Sequence, residues 1–273
     1  MKSGDIQEQL RRENSVVIFP VIQAGQFHIR EEEDCLRQLF YHLDPTHSRD
    51  TTPDFQPLLN LTSGYFGLSK LYKNIILRSH VPTSIICASP EVRVLSHLIR
   101  LLAHYRHLQA NGFYGSKGIS SRLPEAYTWL EQRFMSAVRA SQTHNSRSVP
   151  GFVELKEWNR QGWTYHAKGA LAAFPHVLKL TVGLVHLFLG IWLSPNPESP
   201  PILTLFGSTN LNSRSAHLDT ELSFVMLANS EAVQEKLQLE LQGLQNFAED
   251  WKGDRRNVRA VTKLLTRLLN GYL

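Results

Sequence analysis

A chain of 273 residues, 42% hydrophobic and 19% charged, can bury one or two cores and is not disordered in bulk. Its net charge of +5 suits phosphates, nucleic acid or acidic lipid, and equally an ordinary soluble enzyme. With only Cys35 and Cys87, a disulfide framework and a cysteine metal cluster are excluded, and both thiols read as reduced core residues of a non-secreted protein.

The opening MKSGDIQEQLRRENSVVIF lacks the apolar core of a signal peptide, and the early Asp5, Glu8 and Glu13 do not suit a transit peptide. The expectation is a protein that is not imported, or an N-terminus lying further upstream. Residues 15–23, SVVIFPVIQ, read as a β-branched buried strand. Residues 31–43 pattern as a helix with Leu36, Leu39, Phe40 and Leu43 on one face. A loop rich in Asp, Thr and Pro over 44–57 leads to the short apolar strand of PLLNLTSGYFG. Residues 68–78 predict a helix, TSIICAS (83–89) a buried strand, and 92–109 a basic amphipathic helix. NGFYGSKGIS (111–120) is a Gly-rich loop, and a helix follows over 124–140 with Pro124 in its first turn. Residues 152–165 lead through Trp158 and Trp163, both read as core aromatics, into HAKG. Residues 170–193 are strongly apolar and 194–201 form a sharp loop. Strands are predicted at ILTLFGS and at 221–227, then helices over 230–249 and 255–270. Strands alternating with helices predict an α/β fold, and no internal repeat is present.

The residues that carry chemistry are His166-Ala-Lys168-Gly169, then Gly207-Ser208-Thr209-Asn210, Arg214-Ser215 and Asp219-Thr220-Glu221. A histidine and a lysine two apart on extended chain face the same way. The lysine can neutralise a phosphate oxygen, while the imidazole attacks phosphorus or protonates a leaving oxygen. Ser208 and Asn210 repeat the spacing after a strand and add neutral donors for phosphate oxygens. Glu221 opens the next strand, where it can hold the His166 ring nitrogen and fix its tautomer. HxK alone is weak, since a histidine beside a solvated lysine is common; the combination with GSxN and a downstream carboxylate is much more specific.

HxK followed by GSxN resembles the phospholipase D superfamily, and within it the eukaryotic mitochondrial phosphatidylglycerophosphate synthases. The similar segments are FPVIQAGQFHIREEE (19–33), LLNLTSGYFGLSKLY (58–72), IICASPE (85–91), NGFYGSKGISSRLPEAY (111–127), GWTYHAKG (162–169) and LTLFGSTNLNSRSAHLDTELSFVM (203–226). The resemblance implies a phospholipase D-like α/β fold, a mixed sheet flanked by helices, with His166 and Asn210 at neighbouring strand ends. It implies that a histidine attacks the phosphorus of CDP-diacylglycerol, CMP leaves, and glycerol 3-phosphate then attacks the phosphatidyl-histidine. His166 and Lys168 would be the catalytic pair, Ser208 and Asn210 phosphate donors, and Glu221 the histidine orienter. Gly207 and Arg214 of the same motif are expected at the substrate. No cofactor or metal is implied, nucleic acid is not the expected partner, and the implied location is the mitochondrial inner membrane.

The chain departs from the family in carrying one HxK where the superfamily builds its site from two. His28-Ile29-Arg30 has no lysine in the third place, and no other HxK occurs. The expectations are a truncated product, a partial gene model, or a homodimer pairing two single motifs. The superfamily's Asp five residues after the lysine is replaced by Ala173. Residues 92–109 and 170–190 look inserted, as retained introns would. The expected division is 1–57 as a linker and the end of a preceding half, 58–250 as the catalytic domain, and 251–273 as a basic amphipathic helix.

Residues 170–193 are long enough to span a bilayer, but His176, Lys179, His186 and Pro175 interrupt them. In the C-terminal segment Val258, Val261, Leu264, Leu265, Leu268 and Leu269 share a helical face, with Arg255, Arg256, Arg259, Lys263 and Arg267 around it. Such a helix either lies on anionic lipid or docks on the domain with a solvated basic face. Lys117 and the amides of its Gly-rich loop are candidates for glycerol phosphate or pyrophosphate, or form an ordinary turn. A related phosphatidylserine synthase, a phosphodiesterase, a nuclease and a catalytically dead lipid-binding fragment remain alternatives.

Overall fold

The computed structural model describes residues 15–44, 46–47, 56–64, 66–90, 121–144, 153–160, 165 and 189–269. His166, Lys168, Ala173, Lys117 and its loop, all of 92–109 and all but the end of 170–190 lie outside these residues.

One nine-stranded mixed sheet organises the chain, in the order β2-β1-β8-β7-β6-β3-β4-β5-β9. The strands are β1 (Val16–Ala24), β2 (Ile29–Arg30), β3 (Leu58–Ser63), β4 (Thr83–Ala88), β5 (Val153–Trp158), β6 (Leu189–Ser194), β7 (Leu203–Gly207), β8 (Thr220–Ala228) and β9 (Ala248–Asp250). The helices are α1 (Glu31–Leu43), α2 (Lys70–Arg78), α3 (Leu123–His144), α4 (Ser213–His217), α5 (Glu231–Gln245) and α6 (Ala260–Leu268). β3, β4 and β5 are parallel and every other pairing is antiparallel.

The central strands are continuous apolar runs because both their faces are covered. Leu59, Leu61, Ile85, Leu155, Ile191 and Leu205 point to the side where α1, α2 and α3 contribute Leu36, Phe40, Tyr72, Ile76 and Phe134. Ile86, Trp158 and Trp192 point to the other side, against Leu237, Leu241 and Leu244 of α5. β1 alternates instead, burying Val17 and exposing Val16, Ile18 and Ile22. It pairs with β8 from Val16↔Ala228 to Ala24↔Thr220, so β1 is built into the same sheet as the strands after residue 57.

Several boundaries differ from the sequence reading. Residues 153–158, read as a connection, form strand β5 between β4 and β9. The helix expected over 230–249 stops at Gln245, and Ala248–Asp250 turns back to pair with β5. The last helix starts at Ala260, not 255, because Gly253–Arg255 is a 3-10 turn and Arg259 is extended. Leu189 and Gly190, the last two residues of the apparent second insertion, begin β6, which is seated between β3 and β7. No described helix is long and apolar enough to cross a membrane.

The register brings one edge of the sheet together. Gln23↔Glu221, Gly207↔Ser223, Leu189↔Gly207 and Thr62↔Gly190 lie in line across β1, β8, β7, β6 and β3. The C-terminal ends of the parallel strands and of β7 share this edge.

Candidate active site

The GSxN segment leaves the sheet at this edge. Gly207 ends β7 so close to β8 that a Cβ there would lie 2.1 Å from Ser223 Oγ and 2.5 Å from its Cα. Only glycine permits that approach. The chain then bends through Leu211, whose positive φ of 55° is unusual for a leucine, and whose carbonyl accepts from the Ser69 amide at 2.8 Å. Asn212 caps α4 by accepting from the Ser215 amide at 2.8 Å. The bend and the cap together fold residues 208–215 back over the start of β8.

Glu221 is the focus of that fold. It is buried, and its two carboxyl oxygens accept from two hydroxyls: Ser208 Oγ at 2.5 Å and Ser215 Oγ at 2.9 Å. The Ser208 hydroxyl also accepts from the Leu222 amide at 3.1 Å. Its single O–H is therefore directed at Glu221, and it reaches a phosphate oxygen only by turning away. Each Glu221 oxygen keeps a further lone pair, enough for a histidine N–H as well. Asn210 is buried, with its amide donating to Ser215 Oγ at 3.3 Å and its carbonyl accepting from Ser63 Oγ at 3.4 Å. Its side-chain Oδ1 is buried with no hydrogen-bond partner among the described residues, as expected of a group that a ligand or a catalytic side chain completes. Arg214 stands on α4 in an exposed pair with Asp219 at 3.1 Å, outside the buried cluster.

A second carboxyl group lies behind the first and was not singled out from the sequence. Glu32 is fully buried in the first turn of α1 and accepts from Ser223 Oγ at 2.5 Å and Tyr72 Oη at 3.3 Å. Burial pushes its carboxyl up to about 7, with the nearby Glu221 adding to the rise and the hydrogen bonds from Ser223, Thr209 and Tyr72 opposing it. Gln23, also buried, braces this layer by donating to Glu33 at 3.1 Å and to the Ala216 carbonyl at 3.0 Å. In sequence, Glu32 is one of four consecutive acidic residues opening α1, where acids suit a helix N-terminus, and nothing local distinguishes it. The period of two in β8 could have flagged Ser223, which shares the Glu221 face.

Tyr165, immediately before His166, is buried with its ring 4.9 Å from that of Trp158 at the C-terminal end of β5. The described part of the site offers hydroxyls, amides and carboxyl groups, so positive charge toward a phosphate must come from elsewhere, Lys168 being the sequence candidate. No cluster able to hold a metal occurs among the described residues.

No protein-family model matches the sequence. Curated relatives do. A probable CDP-diacylglycerol–glycerol-3-phosphate 3-phosphatidyltransferase of Dictyostelium discoideum is 29% identical over 259 residues, 94% of this chain and 35% of that protein. The human mitochondrial enzyme of that name is 29% identical over 260 residues, 93% of this chain and 37% of its own length. The Saccharomyces cerevisiae enzyme is 30% identical over 231 residues, 78% of this chain and 36% of its own. This chain is a homologue of these phosphatidyltransferases. Its three-dimensional match to phosphatidylserine synthase of Haemophilus influenzae has a TM-score of 0.56 at 18% identity, covering 95% of this chain and 48% of that one. The expected mixed sheet flanked by helices is the fold observed, and it is shared with that phosphatidylserine synthase. The homologue spans little more than a third of the length of the relatives it matches.

Proposed function

We propose that this chain carries one catalytic half of a phosphatidyltransferase that moves a phosphatidyl group from CDP-diacylglycerol to glycerol 3-phosphate. The observation that carries the reading is the convergence of Ser208 and Ser215 on Glu221, with the Asn210 backbone amide donating to Ser215, at the sheet edge near which Tyr165, the residue before His166, is buried. The relatives' names supply the substrates; the buried, hydroxyl-braced carboxyl supplies a place for the histidine.

In this reading a nitrogen of His166 forms a bond to the phosphatidyl phosphorus as the bond to the CMP oxygen breaks. A hydroxyl of glycerol 3-phosphate then displaces the histidine, giving phosphatidylglycerophosphate. Lys168 and Asn210 hold the phosphate oxygens, Glu221 orients the ring of His166, and Gly207 lets Ser208 and Glu221 meet. Arg214, exposed on α4, and Lys117 serve the anionic substrates. The proton for CMP and the base for glycerol 3-phosphate come from a second group outside this single HxK, on additional chain or on a second copy across a dimer interface. The greater length of the relatives favours additional chain. The mitochondrial naming of the chicken and human relatives supports a mitochondrial location, and the lipid donor places the work at a membrane surface, the inner membrane by resemblance. Residues 92–109 and 170–190 are proposed insertions between family segments.

The intermediate tests this reading. CDP-diacylglycerol labelled in its phosphatidyl phosphate, supplied without acceptor, is expected to label the protein at His166 as an acid-labile phosphoramidate. Well-folded protein that stays unlabelled, or is labelled elsewhere, counts against it and favours a catalytically silent fragment.

A further inference from the structure

An amphipathic helix on a protein surface normally turns its apolar stripe inward. α6 does the reverse. The side chains it packs toward the protein are threonines: Thr262 and Thr266 are each 1% exposed, and Thr266 Oγ1 donates to the Thr262 carbonyl at 2.7 Å. Its leucine stripe faces out, with Val261 60%, Leu264 56% and Leu268 71% exposed. The packing is fixed at its start, where Glu125 of α3 accepts from the Arg259 amide at 2.5 Å and from its guanidinium Nε at 2.9 Å. Glu125 is held down at about 2 by the Arg259 hydrogen bonds, against the opposing effect of burial. The outward leucines therefore belong to an anchored helix.

Charge decides what covers them. Residues 255–269, RRNVRAVTKLLTRLL, hold five cations and no acid. Arg256 and Arg259 are used internally, on Glu157 and Glu125. Arg255, Lys263 and Arg267 have no ion-pair partner among the described residues, and Arg267 lies over the Trp129 ring at 5.5 Å. A leucine stripe flanked by unpaired cations matches a bilayer boundary with anionic headgroups. The place fits as well: just before α6, Arg256 pairs with Glu157 near the C-terminal end of β5, the same end of the sheet at which Glu221 lies on β8, five strands away.

We infer that α6 is the membrane-docking element of this protein, seating Val261, Leu264 and Leu268 in the surface of an anionic phospholipid bilayer. The choice of lipid rests on the phosphatidyltransferase reading, whereas the test does not need catalysis. The full chain is floated with vesicles of phosphatidylcholine alone and of phosphatidylcholine mixed with phosphatidylglycerol, beside Leu264→Glu/Leu268→Glu and Lys263→Glu/Arg267→Glu. The expected result is salt-sensitive binding to the anionic vesicles, at least ~10-fold weaker in both variants, with thermal unfolding unchanged. Vesicle binding equal in the leucine variant and the original chain overturns the inference. So does an original chain that ignores vesicles but forms a dimer in light scattering that Leu264→Glu/Leu268→Glu dissociates, since a second copy then covers the stripe. Anionic binding without phosphatidyl transfer leaves the inference standing and counts only against the proposed reaction.

Discussion

Ser208 and Glu221 meet across the β7–β8 pairing at 2.5 Å, the serine hydroxyl donating to one carboxyl oxygen while Ser215 donates to the other. A carboxyl group held on both oxygens cannot rotate, so whatever it orients is oriented rigidly. In the proposed reading, the strand pairing so becomes a positioning device for His166.

Removing that device should hurt chemistry more than folding. Glu221→Gln keeps the shape but places an amide NH2 where one hydroxyl now donates. Transfer, or labelling of His166, should fall at least about 10-fold, because a reacting imidazole without its carboxylate partner loses its tautomer and orientation. Ser208→Ala, which leaves the Ser215 bond in place, should cost less. Rates for the two variants at matched folded fraction check the order.

Two buried carboxyl groups make stability depend on pH. Burial pushes Glu32 up to about 7 and Glu131 up to about 8, from 4.5. The folded chain therefore holds protons that the unfolded chain releases, and stability falls as pH rises from about 5 to about 8. Their combined effect should be several kcal/mol, with an upper bound of about 8 kcal/mol. Glu125, Asp44 and Asp254 are shifted down, so their contributions are lost only in acid, below this window. Denaturant midpoints across the window should slope downward, and Glu131→Gln, whose partners are Trp251 and Cys87, should flatten the slope.

Glycines at two positions should respond oppositely. Gly207→Ala drives a methyl into Ser223 and should cost about 1–3 kcal/mol by overpacking. Gly243 sits in α5 with nothing within 4 Å of a built Cβ, so Gly243→Ala should stabilise by up to about 1 kcal/mol through helix propensity. Urea unfolding of the pair separates close approach from idle freedom.

The sequence reveals the elements whose pattern is local. β1, β3, β4, β7 and β8 read as apolar or alternating runs, and α1, α2 and α3 as amphipathic helices. β5 was illegible because VELKEW carries three charges; Glu157 is tolerated in the sheet through Arg256, far along the chain. β9 is three residues long and polar, and exists only as an edge for β5. The site divides the same way. GSTN and Glu221 are local and carry a motif, whereas Glu32 matters through Ser223, which lies 191 residues away. The orientation of α6 was hidden too: the helical wheel shows a leucine face but not that Glu125 would hold the threonine face inward.

The most direct test of the central claim is transfer of radiolabelled glycerol 3-phosphate onto CDP-diacylglycerol in mixed micelles, run beside His166→Ala. Lipid product that disappears in the variant is the predicted result, with the second acid/base group supplied by a partner copy or by a residue outside the single HxK motif. Product that persists in His166→Ala would contradict the account outright. No product from well-folded chain would leave homology and fold in place and remove the claim that this chain by itself transfers a phosphatidyl group.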